Sequence, residues 1–197
     1  AVAGHGGGYS HLAILPYPAR LRHDWPLRGG GMYTVRPIHP DDAQMLQRLV
    51  QELSPENRYF RFVSQFRELP PAMLSRFTLI DYDREMALVA VIKDRSMLAN
   101  GDAVETERIV GVSRYITNPD QSTCEFSLVV ADDMSGNGLG SRLMESIIDV
   151  ARDKGLSEVD GLVLAKNAEM LKLMKKLGFA IKPYAEDPDF KLVTYLL

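Results

Sequence analysis

The chain of 197 residues has one cysteine, Cys124, and one tryptophan, Trp25. A lone cysteine excludes a disulfide within the chain, and with it the small stapled folds of secreted proteins. Long apolar runs are also missing. No stretch approaches the roughly 20 residues that a membrane-spanning helix needs, and no segment reads as a signal peptide. Positive charge is not in excess, since 23 Lys and Arg stand against 26 Asp and Glu for a formal net charge of −3. Without a dominant basic stripe the expected partners include neither nucleic acid nor membrane, and the cytosol is the expected setting. His5, His11 and His23 match no metal-ligand spacing. Asp81, Asp83 and Glu85 are spaced like the start of a calcium loop, but Met86 stands where that loop needs glycine. No metal is therefore expected.

What is present is a 46% share of hydrophobic residues, enough for one domain with a substantial core. Residues 1–31 differ from the rest, with glycine runs at Gly6–Gly8 and Gly29–Gly31, prolines between them and no helical period. They are expected to form a tail or linker. The first residue is alanine, which fits a piece of a longer chain. The domain itself is expected over residues 32–197. It opens with a short strand at Met32–Pro37, followed by a helix with core face Leu46, Leu49, Val50 and Leu53. A second helix is capped by Ser54 with Pro55 at its first position. It carries Arg58-Tyr59-Phe60-Arg61-Phe62, read as aromatic packing with exposed arginine ends. A third helix follows Pro70-Pro71. Apolar strands are expected at Met86–Lys93, Arg108–Thr117 and Thr123–Ala131, joined by Asn100-Gly101-Asp102 and Asn118-Pro119-Asp120 turns and therefore antiparallel.

The most informative stretch is Ser122–Gly155, which reads as strand, glycine-rich turn and helix in succession. Ser135-Gly136-Asn137-Gly138-Leu139-Gly140 lies between the strand and a helix with apolar Leu139, Leu143, Ile147 and Ala151, ended by Gly155. Glycines let backbone approach a ligand, and the first amides of a helix lack partners within it, so the turn is suited to an anion such as a diphosphate. The same glycines also suit a tight turn that binds nothing. The spacing is neither a Rossmann fingerprint nor a Walker loop. A strand at Glu158–Leu164 after the helix completes a right-handed crossover and makes that strand pair parallel. Asn167 caps a last helix stopped by Gly178, and strands at Phe179–Tyr184 and Lys191–Leu197 close the chain.

The loop from Ser135 to Gly140 resembles the acyl-CoA pyrophosphate loop of GNAT-superfamily N-acetyltransferases, whose pattern is Arg/Gln-x-x-Gly-x-Gly/Ala. Asn167 through Lys175-Lys176-Leu177-Gly178-Phe179 is similar to the later helix of that family. Arg58–Phe62, Asp81–Ala87 and Cys124-Glu125-Phe126 resemble the acetyltransferase domain of bacterial protein lysine acetyltransferases, often fused behind an ADP-forming acyl-CoA synthetase-like region. His11–Pro18 resembles the end of that preceding region, so residues 1–31 are expected to hold its remnant and a linker. The resemblance covers residues 32–197. It implies an α/β (α+β) fold of GNAT type: a mixed, mostly antiparallel sheet flanked by helices, with one parallel crossover at the acyl-CoA site.

By this resemblance acetyl-CoA is the co-substrate and the acceptor is a lysine amine of a protein, with an acyl-CoA synthetase as one candidate. The loop residues Ser135, Gly136, Asn137, Gly138, Leu139, Gly140 and Ser141 would hold the pyrophosphate, with Arg142 and Lys172 toward the outer phosphates. The backbone of Leu128, Val129 and Val130 would meet the acetyl carbonyl. Asn167 either orients the pantetheine arm or only caps its helix. Glu125 is either a solvent-facing glutamate or the general base, and the family match favours the base. Cys124 offers an acyl-cysteine route, but no histidine stands near it in sequence, and direct transfer is simpler. The chain departs from the family in two places: Ser135 replaces the long Arg or Gln at the head of the loop, and Met174 stands where many relatives have a tyrosine that protonates the thiolate. A small-amine acetyltransferase and a non-catalytic acetyl-CoA sensor remain as alternatives, and the sequence sets no oligomeric state.

Overall fold

The computed structural model describes residues 15–64 and 66–197. The expectations for residues 1–14, including the first half of the stretch 11–18 likened to a preceding region, lie outside the described residues. Eight strands make one sheet: β1 (His23–Pro26), β2 (Met32–Pro37), β3 (Glu85–Met97), β4 (Ala103–Thr117), β5 (Thr123–Val130), β6 (Glu158–Leu164), β7 (Ala180–Pro183) and β8 (Phe190–Leu196). Their order is β1-β2-β3-β4-β5-β6-β8-β7. The β5–β6 pair is parallel and every other neighbouring pair is antiparallel, which is the expected mixed sheet of the GNAT fold.

Five helices flank the sheet: α1 (Ala43–Glu52), α2 (Pro55–Phe62), α3 (Pro71–Thr78), α4 (Leu139–Asp153) and α5 (Ala168–Leu177). The expected caps are present. Ser54 Oγ accepts from the Asn57 amide at 3.2 Å, and Asn167 Oδ1 accepts from the Met170 amide at 3.2 Å. Helix α4 packs on β3, β4 and β5, while α1 covers β4 from the opposite face. Two features bring α4 close to the sheet. A Cβ at Gly111 of β4 would stand 2.7 Å from Leu143 Cδ1, so that side chain would have to shift to admit it. Buried Ser113 Oγ donates to the Leu143 carbonyl at 2.9 Å. On β5 the side chains therefore divide: Cys124, Phe126, Leu128 and Val130 share the α4 face, and Glu125, Ser127 and Val129 share the face of α1 to α3.

Two boundaries differ from expectation. Strands β3 and β4 run past the apolar segments read from the sequence, because charged residues continue the hairpin beyond the core: Lys93 and Arg95 both pair with Glu105, at 3.0 Å and 3.5 Å. The second correction concerns the expected tail. In its described part the chain is built into the domain well before residue 32. Tyr17 stacks on His39 with ring centroids 3.8 Å apart and donates its hydroxyl to the Pro37 carbonyl at 2.7 Å. Strand β1 pairs with β2, Trp25 opposite Tyr33, and the intervening glycines Gly29, Gly30 and Gly31 all have positive φ, which makes them the turn of a hairpin rather than a linker.

The parallel ladder between β5 and β6 is short. It pairs Thr123 with Glu158, Cys124 with Val159 and Glu125 with Asp160, and then stops. The next pair in register would set Phe126 opposite Gly161. There the Phe126 ring lies where a Cβ on Gly161 would be, 2.5 Å from its Cε1, with Phe179 packed at 5.5 Å between centroids. The strands part at this step. Gly161→Ala is expected to cost about 1–3 kcal/mol through overpacking. At ~2–4 °C per kcal/mol for a chain of this size, the thermal midpoint should fall by several degrees. Adding Phe126→Leu should recover part of the loss, and an unchanged midpoint in the single variant would show that the ring is not held against the glycine.

Candidate functional site

A cleft of about 430 Å³ opens where β5 and β6 separate. Its walls are β5 from Phe126 to Val130, Leu162 and Val163 of β6, the glycine loop with the first turn of α4, and parts of α2 and α5. Since β6 leaves β5 after Asp160 and pairs onward only with β8, one backbone edge of β5 faces the cleft without a strand partner. Leu128, Val129 and Val130 all line it, as expected.

The glycine loop forms one end. Gly136 and Gly138 have φ of 77° and 79°, values that side-chain-bearing residues rarely adopt, and the second of them is the N-cap of α4. Together they turn the chain so that Ser135, Gly136, Gly138, Leu139, Gly140 and Ser141 line the cleft. The unpartnered first amides of a long helix and its dipole give this end a positive potential. Gly140 also lets α5 approach: a Cβ there would be 3.2 Å from Leu173. Two residues expected at this end are elsewhere. Asn137 does not line the cleft, and its Nδ2 donates to the Met134 carbonyl at 3.2 Å, bracing the turn. Arg142 turns away. Its guanidinium lies 3.5 Å from the Trp25 ring centroid and 3.5 Å from Glu145 Oε2. The cation that does reach the loop is Arg28, from the β1–β2 turn, whose Nη1 donates to the Gly136 carbonyl at 3.2 Å.

Helix α5 contributes Asn167, Glu169, Met170, Leu173 and Lys176 to the cleft. Asn167 thus caps its helix and lines the cleft at once. Met174 is fully buried in the core and does not reach the cleft, so the comparison with a thiolate-protonating tyrosine at that position fails on geometry. Lys172 is exposed outside the lining, and Lys176, one helical turn later, lines the cleft instead.

The other end is set by α2, which contributes Asn57, Phe60 and Arg61. Asp132, just before the glycine loop, ties α2 in place by accepting from the Ser54 amide at 3.1 Å and from Asn57 Nδ2 at 2.9 Å. Phe60 and Arg61 were visible in the sequence as part of the Arg58–Phe62 motif, but helical spacing alone does not tell a cleft from a core. Arg61 lies over the Phe62 ring at 4.7 Å, and Arg114 of β4 lies over the Phe77 ring at 4.6 Å. Arg114 is only 8% exposed and its Nη2 has no hydrogen-bond partner among the described residues. Burial, and then the nearby Arg61 charge, lowers its pKa to about 9, which leaves it protonated at neutral pH.

Glu125 does not line the cleft. It is exposed, on the Arg61 side of β5, at the last paired step before the strands part and opposite Asp160. The Asp160 carboxyl is raised above the usual range by burial and by the charge of Glu125, and it accepts from Asn118 Nδ2 at 3.2 Å. Cys124 is fully buried on the opposite face, and burial pushes its thiol up to about 12. Among the acidic residues singled out near the start of β3, Glu85 is buried and paired with Arg76, and Asp81 Oδ1 accepts from the Asp83 amide at 3.1 Å. They hold the turn into β3.

Comparison with known proteins agrees with this fold. The chain is 34% identical over 163 residues to an acetyltransferase of Pseudomonas aeruginosa, covering 83% of this chain and 81% of that one. It is 29% identical over 165 residues to the acetyltransferase Pat of Mycolicibacterium smegmatis, covering 84% of this chain and 44% of the relative. The crystal structure of the GNAT domain of S. lividans PAT superposes with a TM-score of 0.78 at 27% identity, covering 92% of this chain and all of that domain. Residues 47–179 match the family profile described as the acetyltransferase (GNAT) family, and the chain belongs to that family.

Proposed function

We propose that this chain transfers the acetyl group of acetyl-CoA directly to the side-chain amine of a lysine in a protein substrate, with Glu125 removing the amine proton. The observation that carries the reading is the cleft itself: a helix N-terminus with two left-handed glycines at one end, a bare strand edge along its length and a carboxylate beside the point where the strands close. Acetyl-CoA, the donor that GNAT acetyltransferases use, supplies a thioester carbon open to attack by an amine, with the thiolate departing.

The residues fit such a donor. The loop amides and the dipole of α4 suit the pyrophosphate, and the β5 edge suits an extended amide-bearing arm that hydrogen-bonds as a strand does. The acceptor enters from the α2 side. A lysine amine is mostly ammonium at pH 7, and freeing its lone pair costs about 4–5 kcal/mol from a reference pKa of ~10.4. Glu125 faces that side but stands outside the lining, so a bridging water carries the proton to it. Leu173 rather than Met174 faces the cleft from α5, and it has no proton to give; solvent protonates the thiolate. Cys124 takes no part, because a buried thiol with a raised pKa is a poor nucleophile at neutral pH.

One observation favours a second reading. Arg61 lines the cleft on the α2 side, and Arg114, buried nearby, adds a second positive charge to that side. This suits a small amine that carries a carboxylate, such as an amino acid, better than it suits a bare ammonium.

Thiol release from acetyl-CoA, measured with an acyl-CoA synthetase and in parallel with free amino acids, separates the readings, and mass spectrometry of the product locates the acetyl group. Acetyl-lysine on the protein, with Glu125→Ala slowed about a hundredfold or more near pH 7 and recovering as pH rises, is the expected result for a general base. Equal rates for wild type and variant would remove Glu125 from the mechanism. Turnover of amino acids alone would move the acceptor to the second reading, and donor binding without any acceptor would make the chain a sensor. For Cys124, a chromogenic disulfide reagent at pH 7–8 should label the thiol only after unfolding, and Cys124→Ala should keep its activity. Rapid labelling of the native protein would reopen the acyl-cysteine route.

A further inference from the structure

The loop of this chain lacks a long side chain at its head, where Ser135 stands, and the residue expected to reach the outer phosphates, Arg142, is spent on Trp25 and Glu145. Another cation occupies that space. Arg28 sits on the turn between β1 and β2, a hairpin far away in sequence, and lines the cleft together with Gly136, Gly138 and Ser141. Its Nη1 donates to the Gly136 carbonyl at 3.2 Å, and the guanidinium lies flat against Gly138, with Nη2, Cζ and Nε 3.6–3.8 Å from where a Cβ would be. A Cβ at position 138 would meet the guanidinium at ordinary van der Waals distance, so the arginine covers the glycine closely. No carboxylate among the described residues pairs with Arg28. Four of its five N–H donors have no partner among the described residues.

We infer that Arg28 is a diphosphate-binding residue of the acyl-CoA site, supplied from the upstream hairpin in place of the long side chain missing at Ser135. The inference rests on the donor reading above. The guanidinium fork matches two phosphate oxygens at once, and it adds a full charge to the partial charge of the α4 amides. The hairpin is held where this requires. Trp25, three residues earlier, stacks on Arg142 in the first turn of α4 and keeps β1 over the loop. Leu27 N–H donates to the Gly31 carbonyl at 2.9 Å and closes the turn that presents Arg28. Arg142 is thus a positioning residue: it fixes the hairpin, and the hairpin's own arginine meets the anion.

The test is a set of binding titrations that need no acceptor, using CoA, dephospho-CoA, which lacks the 3′-phosphate but keeps the diphosphate, and pantetheine, which has no phosphate. Arg28→Ala should weaken CoA and dephospho-CoA alike, by about tenfold for one lost charge-assisted contact, and leave pantetheine unchanged. Placing an arginine at the head of the loop, as Ser135→Arg in the Arg28→Ala background, should restore most of the loss. Arg28 is exposed, so the variant should melt with the wild type, and the melting curve is recorded with each titration. Unchanged CoA affinity in Arg28→Ala overturns the inference. So does an equal loss for pantetheine, or a loss for CoA but not for dephospho-CoA, which would place Arg28 on the 3′-phosphate. If the wild-type chain binds none of the three, the donor reading itself fails, and that outcome is read without any variant.

Discussion

The site depends on an aromatic ring set against a glycine. The parallel ladder of β5 and β6 ends at the step where Phe126 would face Gly161, and the ring occupies the space that any other residue at 161 would need. Backbone that would otherwise be consumed by pairing is left free along β5, and β6 is released to β8. A sheet that pairs fully has no interior cleft, because hydrogen bonding draws its strands to within about 5 Å. Here the pair closes at Glu125 and Asp160 and opens one residue later, so the acidic side chains and the bare edge become neighbours. Gly111 and Ser113 complete the geometry by bringing α4 down onto the sheet, which aims its first turn at the open end.

Charge around the cleft is opposite to the charge of the chain. The formal net charge is −3, yet Arg28, Arg61 and Lys176 line the cleft and Glu169 is the acidic residue among its lining. Buried Arg114 adds to the same side. A dehydrated cleft feels the groups that line it more than the distant surface, so a mildly acidic protein can present a cationic channel to an anionic donor. The acidic surplus lies largely on exposed faces, where water screens it.

Much of this was legible in the sequence. The strand–glycine–helix order around Ser135–Gly140, the caps at Ser54 and Asn167 and the single parallel crossover all follow from local rules, because turn chemistry and hydrophobic period act over a few residues. What escaped was direction and distance. Arg142 and Met174 lie on the right helices, but period fixes which residues share a helix face and not which face looks into a cleft. The structure shows one arginine held by Trp25 and the methionine sealed in the core, with Leu173 in its place. Arg28 stands 108 positions from the carbonyl it touches. No spacing rule reaches that far, and the surrounding glycines, read as part of a tail or linker, concealed a hairpin whose three left-handed residues are its turn. Glu125 was legible as a candidate carboxylate on the strand that enters the glycine loop, but its standing outside the lining depends on where the β5–β6 ladder ends, and no local pattern gives that.

The two margins of the sheet are alike. β1 and β7 are four-residue strands, and each ends in a proline, Pro26 on one side and Pro183 on the other. A proline has no amide hydrogen to offer, and a short strand gives an incoming chain little to grip. Sheet edges are where proteins most readily add strands from one another, and this chain closes both of them. A long, deeply split sheet thereby offers a neighbouring chain little to add a strand to at either margin.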